Sequence, residues 1–196
     1  MDPIRRLARS ALALILLFTQ LTACITTYRD FPETALDQTL PPKRDGVLYY
    51  TIQKFPILDA GGFHTLNKRF RENAVFSETI KAQEPPAKGM YCLVEVEYKP
   101  LSLPALIFGY LSVSTLGLIP AYSGNDGYWV RYQVFFDQQR IKTYEYQVTR
   151  KFGLWLFLLP FAWINLATYS EEDVFTATTH QFFLDALKDK TFDQEV

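Results

Sequence analysis

Two long uncharged stretches constrain this chain more than any other feature. Residues 100–125 run for 26 positions, and residues 152–170 for 19, without an Asp, Glu, Lys or Arg. The first holds Leu106, Ile107, Phe108, Tyr110, Leu111, Leu118 and Ile119; the second holds Leu154, Trp155, Phe157, Leu158, Phe161 and Trp163. So much apolar surface has to be covered by something other than water. As straight α-helices rising ~1.5 Å per residue, the two would reach about 39 and 28 Å, against a hydrocarbon core of roughly 30 Å.

Three covers fit this pattern. Two transmembrane spans would put residues 126–151 on the far side. That loop holds Arg131, Arg140, Lys142, Arg150 and Lys151 against three acids, as a cytoplasmic loop should. Shallow insertion needs each stretch to turn back, and Pro104, Gly109, Gly117, Pro120 and Pro160 supply the breaks. Tyr110, Tyr122, Trp155, Trp163 and Tyr169 would then sit at headgroup level. In the third arrangement both stretches cover a sheet or contact a partner protein.

The remainder reads as one α+β domain over residues 47–196, with the insertions at 100–125 and 152–169. Strands are expected at 47–55, 91–98, 128–136 and 141–149, the last two forming a hairpin across residues 137–140. In the second strand Cys92, Val94, Val96 and Tyr98 face one way and Glu95 and Glu97 the other, which predicts a sheet with one wet face. The spacing of Leu66, Phe70 and Ala74 predicts a helix over 64–76. Ser170 followed by Asp173 has the pattern of a capping box opening a final helix over 170–188. The expected fold is an antiparallel sheet of about four strands, two flanking helices and two apolar helical insertions. Residues 24–46, with Pro32, Pro41, Pro42 and Gly46, read as a tether.

The first two dozen residues carry an address. Arg5, Arg6 and Arg9 precede an uncharged run from Ser10 to Ala23 that is too short to span a bilayer, and Leu21-Thr22-Ala23-Cys24 closes it. This order resembles the signal peptide and lipobox of bacterial lipoproteins. The resemblance implies removal of residues 1–23, a diacylglyceryl thioether on Cys24 and, in many bacteria, acylation of the new α-amine. It places the protein in the cell envelope, facing the periplasm. Ile25 stands where an aspartate resembles an inner-membrane retention signal, which favours the outer membrane.

Little in the chain suggests catalysis. The two histidines, His64 and His180, have no Cys or His neighbour at metal-ligand spacing. Gly61-Gly62 lacks the phosphate-loop pattern, and no serine lies in a Gly-x-Ser-x-Gly context. Net charge is −1, so no basic excess points to nucleic acid. With Cys24 acylated, Cys92 has no disulfide partner and reads as a buried small residue. The 31 aromatic residues (3 Trp, 12 Tyr, 16 Phe) exceed the needs of an ordinary core of this size. The expectation is a non-catalytic lipoprotein without cofactor or metal. Its partner is membrane lipid, through acylated Cys24 and both insertions. A lipid-handling module, an envelope-protein partner and self-association stay open as alternatives.

Overall fold

The computed structural model describes residues 24–53, 62–72 and 75–193; the signal-peptide expectation, and Ala74 of the 64–76 helix, lie outside them. Strand β1 covers Cys24–Arg29, followed by a 3₁₀ helix over Glu33–Asp37, β2 over Arg44–Ile52 and helix α1 over Gly62–Glu72. Next come β3 (Phe76–Lys81), β4 (Met90–Lys99), α2 (Leu103–Ser114), β5 (Ala121–Phe136) and β6 (Gln139–Leu154). A second 3₁₀ helix (Leu156–Leu166) and α3 (Glu171–Lys188) complete the order.

The expected antiparallel sheet of about four strands is corrected to a mixed sheet of six, in the order β1-β6-β5-β4-β2-β3. β2 runs parallel to both β3 and β4, while β4 and β5 are antiparallel. The parallel part arises because α1 lies between β2 and β3 in the chain, and a crossover of that length returns the next strand in the same direction. β3 ends level with Tyr50 and β4 begins level with Leu48, so residues 82–89 retreat by only two positions while crossing β2. β3 has one buried residue, Phe76, and carries Glu78 and Lys81 outward as the unpaired edge of the sheet. The hairpin turn is tighter than expected: Asp137 and Gln138 have φ of 48° and 65°, the two-residue left-handed turn that matches strand twist.

The chain divides into two compact units. One comprises residues 28–99, 127–149 and 169–196, and holds an aromatic core. Tyr50, Phe70, Tyr128, Tyr132, Phe175, Phe182 and Phe183 are fully buried there, and Tyr132 stacks on Phe182 at 4.5 Å between ring centroids. The Tyr132 hydroxyl, which burial would otherwise leave unpaired, bonds Thr178 and Thr179. Cys92 is buried in this core, as its alternation predicts, and burial pushes its thiol pKa up. On the opposite face Arg131 pairs with Glu97 at 3.0 Å and Glu145 at 2.5 Å, and Gln133 donates to Glu95. α3 opens with the reciprocal bonds between Ser170 and Asp173 that their spacing predicts.

The other unit comprises residues 1–27, 100–126 and 150–168, described from Cys24 onward. Neither uncharged stretch forms one long helix. The first gives the 12-residue α2 and then enters β5, which begins at Ala121, seven residues before the strand expected at 128–136. The second begins inside β6 and continues as the 11-residue 3₁₀ helix. Among the described residues no helix is long and apolar enough to cross a membrane.

Candidate lipid-facing site

α2 and the second 3₁₀ helix are built to leave side chains bare. Pro104 suits the first turn of α2, where an N–H has no partner anyway, and the Ser102 hydroxyl accepts from the Ala105 N–H. Beyond that cap, only Ala105 and Ser112 of α2 are buried, and the 3₁₀ helix buries none of its residues. Of the 13 apolar residues expected to meet lipid, ten are exposed: Leu106, Ile107, Phe108, Tyr110, Leu111, Leu118, Trp155, Phe157, Phe161 and Trp163. Ile119, Leu154 and Leu158 are half-buried. Leu103, Val113, Leu116 and Leu166 join the exposed set, with Leu166 91% and Tyr110 78% accessible. Among the described residues, fifteen of the 18 exposed large hydrophobic side chains lie in this one unit. A helix packed as a core cover would hide one stripe and show the other. Here the apolar side chains point outward around most of both helices.

Backbone contacts join the two elements. Helix α2 ends in a Schellman motif: Gly117 N–H reaches the Ser112 carbonyl at 2.7 Å and Leu116 N–H reaches Val113 at 3.2 Å. Gly117, at φ 81°, then accepts from the Leu156 N–H at 2.8 Å. A Cβ there would lie 3.2 Å from that nitrogen, so both the conformation and the close approach call for glycine. The Ser112 hydroxyl donates to the Leu154 carbonyl at 3.4 Å.

Cys24 sits in the same unit, at the start of β1. The Asn165 side chain, from the 3₁₀ helix, accepts from Thr26 N–H at 2.9 Å and donates to the Cys24 carbonyl at 2.7 Å. One primary amide thereby reproduces both bonds of a neighbouring strand. The residues read as a tether therefore begin with six in a strand, the first bonded to the apolar 3₁₀ helix. Asn165 carried a signal that the sequence reading passed over, because a carboxamide inside an otherwise apolar run needs a partner.

Charge is almost absent. The described residues of this unit contain only Asp126, Arg150 and Lys151. Asp126, 2% exposed, receives two bonds from Arg150 on one oxygen, at 2.6 and 3.0 Å. Among the described residues no group of three or more His, Cys, Asp or Glu is placed to hold a metal ion. No family model, curated protein or solved structure matches the chain.

Proposed function

We propose that this chain is a non-catalytic, lipid-anchored envelope protein. It is acylated on Cys24 and presses α2 and the second 3₁₀ helix into the membrane surface that holds its acyl chains. The observation carrying this reading is that Cys24 shares one compact unit with nearly all of the exposed apolar side chains, its backbone held by Asn165.

The lengths favour a shallow seat. Twelve α-helical residues extend about 18 Å, and eleven 3₁₀ residues about 22 Å, both short of the ~30 Å core. Helical backbone pairs its own polar groups, which lipid demands of any segment it surrounds. Removing five large side chains from water is worth roughly 5–10 kcal/mol before the cost of association. Two or three acyl chains already hold a protein stably, and apolar contact on the same body adds to that hold through effective concentration. Ile25, in place of the aspartate of retained lipoproteins, directs the protein to the outer membrane. The soluble-facing residues are then available to another envelope component.

Replacing Trp129 with Phe leaves Trp155 and Trp163 as the only tryptophans. In the full-length protein reconstituted into bilayers, lipids brominated near the headgroup end of their chains should quench their emission, and lipids brominated near the bilayer centre should quench it less. Emission indifferent to both lipids would overturn the insertion. Intact mass of protein from its native host should show a chain starting at Cys24 with acyl groups added; an unmodified chain from Met1 would remove the anchor.

A further inference from the structure

The apolar unit contains a cleft of about 460 Å³ with Ser123, Asn125 and Lys151 on its wall. Beside it lies a groove of about 280 Å³ formed by Ile25, Phe152 and Leu158 among others. Tyr122 and Lys151 line both, so the two spaces meet along those side chains. The first is mostly polar and the second mostly apolar.

Lys151 gives the pair its chemistry. It is half-buried, and no carboxylate lies within ion-pair distance of it among the described residues. Asp126, the one acid among the described residues of the unit, receives both Arg150 bonds on Oδ2, and its buried Oδ1 has no partner among the described residues. Among the described residues of the unit Lys151 is thus the one charge without an opposite charge at ion-pair distance. A ligand that fits must bring negative charge to Lys151 and an apolar chain to the groove. Asp126 lines the cleft as well, but Arg150 offsets its charge, so Lys151 leaves the described residues of the unit with a net positive charge that favours an anionic ligand.

We propose that this cleft and groove bind one anionic phospholipid. Its phosphate pairs with Lys151 and accepts hydrogen bonds from Ser123 and Asn125, and the upper part of one acyl chain lies against Ile25, Phe152 and Leu158. The proposal rests on the membrane-facing reading above, and adds to it a discrete site with a headgroup preference.

The test uses the full-length protein extracted in mild detergent, stripped of lipid and titrated by native mass spectrometry. Phosphatidylglycerol should bind one to one, about five- to tenfold more tightly than phosphatidylcholine of the same chain length. Lys151→Gln should abolish that preference and Lys151→Arg should keep it. Leu158→Gln should weaken phosphatidylglycerol without affecting binding of its deacylated headgroup. Equal binding of the two lipids, or an undiminished preference in Lys151→Gln, would overturn the proposal. Displacement of phosphatidylglycerol by an equal concentration of inorganic phosphate would also overturn it, by making the site one for free anions. If tryptophan quenching by brominated lipid persists in any of these cases, only the discrete site has failed. If quenching is itself absent, the membrane reading has failed as well.

Discussion

Leu116 occupies the position at which helices most often end on glycine. Its φ is 53°, a conformation that costs a residue with a Cβ about 1 kcal/mol or more, and its side chain is exposed. The fold gains nothing from leucine there, whereas a lipid-facing surface does. Leu116→Gly should therefore raise the free energy of unfolding by about 1 kcal/mol in a denaturant titration. The same variant should lower the quenching of Trp155 and Trp163 by brominated lipid. His180 in α3 presents a second imbalance. Its Nε2 is buried without a partner among the described residues, and burial, then the nearby Arg69, hold the imidazole pKa below its usual value. The unfolded chain takes up this proton first, at about pH 6.5, so the contribution of His180 to stability is complete above that pH. It declines as the pH falls toward the lower folded value. Unfolding free energies measured from about pH 7.5 to about pH 5.5 should drop in the native protein and drop less in His180→Gln.

Among the elements, β1 depends most on one side chain. It lies at the end of the sheet order, and Asn165 gives it the two bonds that another strand would provide. Asn165→Ala should leave the core of the larger unit intact and speed amide exchange at Thr26 by about tenfold, the measure of one to two hydrogen bonds lost. Unchanged exchange at Thr26 would mean that β1 is held by its pairing with β6 alone. The ease of reading the elements from sequence follows from how each acquires its structure. The alternation of β4 and the Ser170–Asp173 cap are local, and both were legible. β1 was hidden because Pro32, Pro41 and Pro42 outweighed the strand-forming Ile25-Thr26-Thr27-Tyr28. β3 was hidden because an exposed edge strand with one buried residue carries almost no period. The first half of β5 was masked by its glycines; Gly127, at φ 143°, nonetheless pairs with Lys99.

At the scale of the whole molecule, the candidate site was half legible. Its apolar residues stand out as two uncharged runs, and Cys24 as the end of a stretch that resembles a lipobox. The place proposed for Lys151 was not visible, because it depends on Arg150 pairing with Asp126, 24 residues away. Nor does sequence spacing reveal that three distant stretches fold into one unit. The parallel strands escaped for a similar reason: direction is set by which elements a crossover joins, and periodicity is blind to it.

That the small unit is assembled from residues near 24, 100–126 and 150–168 has a consequence for biogenesis. On the proposed acylation, lipid transfer to the first of these pieces needs only the residues up to Cys24, whereas the complete apolar surface also needs residues 150–168. If the proposed anchor is attached first, the stickiest face is completed only where a bilayer already waits beside it. A nascent chain halted before residue 150 would instead display α2 with nothing to dock on.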